Sequence, residues 1–296
     1  LPRDYARELE KRTGIRCCVF NPFVPVLSLR LNNRDHRKFL IIDGKVAFTG
    51  GINLADEYIN EKVRFGHWKD SAIQVQGEAA WSMGVMFLTL WDYTREETTD
   101  FDAFRPREVP RVEGGGFVQP YTDNPLDEEA VGQAVYLNLI NKARRYVYLT
   151  TPYLIVDDAT NTALCIAAKS GVDVRIMTPH IPDKKVVFEL TRAHYKPLLA
   201  AGVKIYEYTP GFVHAKNFAV DDMYGTVGTI NLDYRSLFLH FENGVWLCGT
   251  PTVLDIKADF LSTLEQCHRV TLAECEALPW WRKALRAVLR IFAPLM

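Results

Sequence analysis

One polar pattern occurs twice in this chain. His36-Arg37-Lys38 is followed by Asp43, and His214-Ala215-Lys216 by Asp221, so H-x-K-x4-D recurs 178 residues later. Gly50-Gly51-Ile52-Asn53 matches Gly228-Thr229-Ile230-Asn231 at the same offset. The approach to each motif repeats as well. Gly14-Ile15-Arg16 leading to Val19-Phe20-Asn21-Pro22 mirrors Gly202-Val203-Lys204 leading to Tyr206, Tyr208 and Pro210. A repeat of this length calls for two structural units of one kind. A single H-x-K-x4-D carries little information, whereas two in a shared frame specify a pair.

Helical and strand-like patterns alternate through residues 127–290. Asp127-Glu128-Glu129 opens a helix to about Ala143, and Tyr146 to Tyr153 is a β-favouring run. Asp157-Asp158 caps a helix that stops near Gly171, and Val172 to Thr178 is a second strand. A helix from Lys184 to Ala201 ends at Gly202, before the strand Val203 to Tyr208. This spacing predicts βαβ units and a largely parallel sheet in an α/β fold. Several prolines and Gly114-Gly115-Gly116 mark residues 101–126 as a connection. The expected division is a first lobe over 1–100, this connection, a second lobe over 127–270 and a C-terminal amphipathic helix over 271–296. In the repeat frame Leu1 matches position 189, so the first lobe is expected to lack its opening strands. A shortened sheet with an unpaired edge follows, and the chain expressed alone is expected to aggregate or show little activity.

Charge narrows the partners. Lys plus Arg is 35 against Asp plus Glu at 36, a net charge of −1. A nucleic-acid binder usually shows a basic excess, so no nucleic-acid partner is expected. The six cysteines are scattered, with no C-x-x-C pair and no zinc spacing, and read as reduced thiols. No apolar run approaches the ~18 residues of a spanning helix.

Strand geometry groups the motif residues. Side chains alternate faces along a strand, so His36 shares a face with Lys38, and His214 with Lys216. Asp43 and Asp221 fall on the other face and take a supporting part. Asp43-Gly44 is a hairpin dipeptide. Folding Val46–Gly51 back along Lys38–Ile42 brings Asn53 beside His36, and a turn at Asp221-Asp222 brings Asn231 beside His214. Each copy then supplies an imidazole, an ammonium and a carboxamide to a common pocket.

That inventory suits phosphodiester chemistry. A neutral imidazole attacks phosphorus, a protonated one donates to the departing alkoxide, and cations and amides stabilise the non-bridging oxygens. It requires no metal or other cofactor, and no carboxylate cluster is present to hold a metal. Water or a lipid hydroxyl can resolve the phosphohistidine, so transfer and hydrolysis both stay open. His67, His180, His194, His240 and His268 follow no such pattern and are read as structural.

The sequence resembles the phospholipase D superfamily and, within it, the bacterial cardiolipin synthases. Residues Asp43 to Asn53 are similar to that family's first catalytic block. Residues Pro210 to Lys216 with Gly228 to Ser236 are similar to the second, and the resemblance covers nearly the whole chain. It implies two α/β lobes, each a mixed sheet flanked by helices, related by a pseudo-two-fold, with the first lobe truncated and the active site between them. It implies that an acidic residue after each block orients its histidine, at Asp70 and Glu242. His36 is then the nucleophile, and His214 the acid and later the base. The implied reaction joins two phosphatidylglycerols into cardiolipin and releases glycerol. Implied partners are phosphatidylglycerol and an anionic membrane surface, at the cytoplasmic side or periphery of the bacterial inner membrane. Such enzymes usually begin with two membrane-spanning helices, and these residues contain none. The alternatives are a phosphodiesterase hydrolysing a phospholipid or nucleic acid, and a silent membrane-binding remnant.

Near the C-terminus Arg282, Arg286 and Arg290 recur at i, i+4 and i+8, while Trp281, Leu285, Val288, Leu289 and Phe292 gather largely elsewhere. A basic amphipathic helix carrying tryptophan suits a bilayer interface. The alternative is an ordinary helix docked on a lobe.

Overall fold

The computed structural model of the protein describes residues 2, 4–22, 32–108 and 114–295. Leu1, Met296 and residues 109–113 of the expected connection lie outside these. Helix α1 (Tyr5–Thr13) precedes a small antiparallel sheet. Strand β1 (Phe39–Ile42) turns through Asp43-Gly44 into β2 (Val46–Gly50), with Ile42 opposite Val46 and Phe39 opposite Thr49. Asp43 and Gly44 both hold positive φ, which this residue pair tolerates. Strand β3 (His67–Lys69) stands apart, and β4 (Ala72–Gln76) returns beside β2 as the third strand. Helix α2 (Glu78–Arg95) buries Ala80 and Met83 against this layer.

The expected connection is partly ordered sheet. Residues Phe117–Asp123 form strand β5, which pairs along the edge of the second sheet. The remaining elements are α3 (Val131–Lys142), β6 (Tyr146–Thr150), α4 (Asp158–Lys169), β7 (Asp173–Pro179), α5 (Lys185–Ala193), α6 (Tyr195–Ala200) and β8 (Lys204–Tyr208). After them come β9 (Gly211–Val213), β10 (Asn217–Val220), β11 (Tyr224–Gly228), α7 (Tyr234–Phe238), β12 (Glu242–Cys248), α8 (Thr252–Leu264) and β13 (Cys267–Val270). Helices α9 (Leu272–Glu276) and α10 (Trp280–Ile291) follow. Among the described residues no helix is long and apolar enough to cross a membrane.

The second sheet runs β13-β8-β7-β6-β10-β11-β12-β5. Only β6, β7 and β8 pair in parallel, so the sheet is mixed and not largely parallel. Crossover helices permit the parallel pairs, whereas the short turn at residues 221–223 between β10 and β11 allows only antiparallel neighbours. The single helix expected over 184–201 is broken at His194 into α5 and α6. Pro197 has no N–H to give Ala193, and its ring clashes with that carbonyl.

The two sheets share a core. Ala47, Ile73 and Val75 of the small sheet pack with Val227, Val245 and Leu247 of the large one, and α8 adds Val253 and Phe260. On the opposite face α3, α4 and α6 cover Leu149, Ile176, Ile205 and Phe218. Leu40 and Ile42 of β1 are 58% and 46% exposed, whereas their repeat partners Phe218 and Val220 on β10 are buried beneath that helical layer. The large sheet gives β10 the neighbour β6, while β1 in the three-stranded sheet pairs with β2 alone.

Candidate active site

Each histidine motif lies in a gap between ladders. His36–Lys38 precede β1, and His214–Lys216 join β9 to β10, so neither triplet sits within a strand as expected. The opposite repeat fixes each one in place. The His36 backbone N–H donates to Phe241 O (2.9 Å), and that of His214 to Lys69 O (2.7 Å). Strand β3 pairs with β9 in parallel, with Lys69 opposite Val213. Phe241 and Lys69 each immediately precede an acidic residue, so the acid arrives beside the imidazole.

The arrival is crosswise. Glu242 Oε1 and Oε2 lie 2.8 and 2.9 Å from His36 Nδ1, and Asp70 Oδ2 lies 2.9 Å from His214 Nδ1. Each acid therefore meets the histidine of the other repeat, not the one that its own block carries. A carboxylate only accepts, so His36 Nδ1 holds the proton and its Nε2 keeps a free lone pair, whereas His214 Nδ1 lies 2.9 Å from both Asp70 Oδ2 and Lys216 Nζ. Both rings line one cavity of about 470 Å³, together with Asn53, Asn231, Trp68 and His240. Trp68 packs beside His214 with ring centroids 5.2 Å apart, and His240 beside His36 at 5.3 Å.

A family model described as "Cardiolipin synthase, PLD-like domain" matches residues 136–264. A Streptococcus mutans protein described as uncharacterized is 50% identical over 293 residues, covering 99% of this chain and 63% of that protein. A cardiolipin synthase of Alkalihalophilus pseudofirmus is 35% identical over 297 residues, covering 100% of this chain and 59% of that protein. The chain belongs to the phospholipase D superfamily. It spans less than two thirds of the length of either relative. Its fold is also that of a Haemophilus influenzae phosphatidylserine synthase, with a TM-score of 0.64 over 88% of this chain and 69% of the other at 15% identity.

In this phospholipase D-like chain, burial governs the electrostatics of the cavity. Burial lowers His36 against the pull of Glu242. Burial and the neighbouring Lys216 lower His214 to about 3, against Asp70. Lys216, 1% exposed, is lowered by burial to about 7. Burial also works against the charges of Glu242 and Asp70. The surrounding histidines and lysines outweigh it and hold both carboxyls below their ordinary range. Both imidazoles are thereby neutral at pH 7, and an anion placed between them would raise each.

The other expected site residues divide. Lys38 Nζ donates to His36 O (2.5 Å) and Lys216 Nζ to His214 O. These amino groups brace the motif backbone, Lys216 Nζ also lies 2.9 Å from His214 Nδ1, and neither residue lines the cavity. Asn53 and Asn231 do line it. Asn53 donates to Tyr58 OH, while the buried Asn231 Oδ1 has no protein partner. Asp43 and Asp221 do not reach the cavity. Asp43 is exposed at its turn, and Asp221 accepts from the backbone N–H groups of Arg144, Arg145 and Tyr146. Gly51 has a sterically demanding place, because a Cβ there would overlap Asp70 Oδ1.

His240, read as structural from the sequence, belongs to the site. A signal was available: His240-x-Glu242 repeats the spacing of Trp68-x-Asp70, whose tryptophan ring packs beside the other motif histidine. Ligand atoms of His36, His240 and Glu242 all lie within 4.8 Å of one another, a grouping with the geometry to hold a cation. Here Glu242 is engaged by His36 and by the Thr229 hydroxyl. Tyr58 and Tyr153, which follow no repeat, also line the cavity and escape a pattern search.

Proposed function

We propose that the chain carries the catalytic site of a cardiolipin-synthase-type phosphatidyltransferase acting on two phosphatidylglycerols. The supporting observation is the crosswise pair of imidazole–carboxylate couples facing one cavity. Relatives named cardiolipin synthase support the choice of lipid. Following the resemblance, His36 Nε2 attacks phosphorus of the first phosphatidylglycerol, and the glycerol oxygen leaves with a proton from His214. His214 then takes the proton of a hydroxyl on the second phosphatidylglycerol, and that oxygen attacks the phosphohistidine. Cardiolipin leaves, and both imidazoles return to their starting state.

A neutral ring suits the nucleophile directly. The donor acquires its proton as the anionic diester enters, because a negative charge beside a buried imidazole stabilises its charged form. In this reading the amide groups of Asn53 and Asn231 donate to the non-bridging oxygens, and Lys38 and Lys216 lie behind the rings. We further read the site as working at a membrane surface, since its substrates reside there. Incubation with labelled phosphatidylglycerol tests this reading. Labelled cardiolipin and free glycerol are expected, and phosphatidic acid as the sole product would assign the chain to hydrolysis.

A further inference from the structure

We propose that the mouth of the catalytic cavity seats on a phospholipid bilayer through two apolar edges, one on each side, with α10 forming the larger. The choice of a bilayer rests on the phospholipid reading above. The edges themselves are structural observations.

Helix α10 is turned inside out relative to an ordinary surface helix. Arg282 and Arg286 face the protein, while Arg290 is exposed. Arg286 is 8% exposed, with Nε 2.9 Å from Glu189 Oε2 on α5, and Arg282 pairs with the same carboxylate. Trp281, Leu285, Val288 and Phe292, at i, i+4, i+7 and i+11, form a stripe facing away, each between 43% and 56% exposed. Trp280 and Ile291 extend that stripe at 80% and 74%. A helix whose apolar side is meant for its own core would bury these residues and expose the arginines.

The inward side of this helix adjoins the wall of the catalytic cavity. Leu289 and Ala293, on the inward side, pack with Tyr153, Ile155 and Val187, and those three also line the cavity. Across the cavity, Asn53 and Tyr58 form part of the wall, and beside them Leu54, Ile59 and Val63 are exposed. Charges of both signs accompany the first edge, with Lys62 and Arg64 flanking Val63 near Asp56 and Glu61, and Lys184 and Lys185 open α5 beside the second. Tryptophan and aliphatic side chains beside lysine and arginine match the boundary between acyl chains and anionic headgroups. A protein partner or a second copy covering both edges would close the cavity mouth between them. A bilayer would instead deliver substrate through it.

Flotation of the full chain with phosphatidylcholine vesicles containing a quarter phosphatidylglycerol tests the surface. Trp281→Ser with Val288→Ser, and separately Leu54→Ser with Val63→Ser, should each weaken vesicle binding by about ten-fold or more. Brominated acyl chains should quench tryptophan fluorescence of the wild type, and much less that of Trp280→Phe with Trp281→Phe. Turnover of a short-chain phosphatidylglycerol kept below its micelle concentration should be unchanged in all of these variants. Undiminished flotation in both serine pairs, or quenching indifferent to the phenylalanine pair, would overturn the proposal. A wild-type dimer that the serine substitutions dissociate, with vesicle binding unaltered, would assign the stripe to a second copy and overturn it as well. If the chain turns over no phospholipid while flotation still falls in both serine pairs, the catalytic reading fails and the docking surface stands.

Discussion

His36 and Glu242 are 206 residues apart in the chain and 2.8 Å apart in space. The bond between them crosses from one repeat to the other, and Asp70 returns the arrangement to His214. Neither half-site is complete alone: each repeat supplies the imidazole for one couple and the carboxylate for the other. This crossing also ties the lobes together at the cavity, beside the shared contact of Asn243 with Thr49.

Removing either carboxylate should therefore disable the histidine of the opposite repeat. Glu242→Gln and Asp70→Asn are each expected to lower kcat by about 10²- to 10⁴-fold with little change in KM. Because both imidazoles serve one reaction, the double variant should be scarcely worse than the poorer single. Steady-state kinetics on dispersed phosphatidylglycerol would show this, and fully additive losses would mean that the couples act separately.

Rapid quenching with labelled phosphatidylglycerol should trap a phosphorylated residue, identified by peptide mapping as His36. The His214→Gln variant should accumulate it only if its leaving group needs no proton, as with an activated phosphodiester. Burial depresses His214 strongly, so the experiment has a definite alternative outcome. Label on His214 would exchange the two roles.

Asn53→Ala and Asn231→Ala should reduce kcat by about 10²-fold each while leaving KM nearly unaltered, because their amides act on charge that grows in the transition state. Asn231 should be the more sensitive, since its buried Oδ1 has no protein partner and its amide is free to turn towards substrate. Unchanged turnover in both would remove them from the site.

Acid should destabilise the fold. His214 is lowered to about 3 and His194 to about 4, both mainly by burial, from an ordinary value of 6.5. Between those values the unfolded chain binds protons that the folded chain does not, so stability falls as pH drops below about 6.5. At pH 4.5 the His214→Gln variant should be spared a loss on the order of 2 kcal/mol that the wild type suffers relative to pH 7. Urea midpoints at the two pH values give the comparison. An equal loss in both proteins would show that His214 does not contribute.

Gly51→Ala should cost activity without altering any ionisable group. Its methyl group would push Asp70 away from His214, so kcat should fall by about ten-fold or more while the far-ultraviolet spectrum stays unchanged. Wild-type kinetics in this variant would mean that the carboxylate has room to shift.

The sequence by itself determined which residue types the two half-sites contain. His36, His214, Asn53 and Asn231 were legible because a repeat preserves chemistry and spacing in one dimension. The hairpin over Asp43-Gly44 was legible because turn residues fix local register. The break at Pro197 was available in the same local terms, although the surrounding periodicity outweighed it. Other relationships had no local signature. That Asp70 meets His214 and not His36 follows from the packing of Ala47, Ile73 and Val75 against Val227 and Val245, which sets β3 beside β9. Periodicity likewise gave α10 two faces without saying which turns inward. Glu189 on the neighbouring α5 decided it, because a buried arginine requires a carboxylate partner while an apolar stripe can be left for another phase. Local chemistry is written along the chain, but the choice of partner depends on how much surface distant segments bury together, and only the assembled tertiary structure decides that.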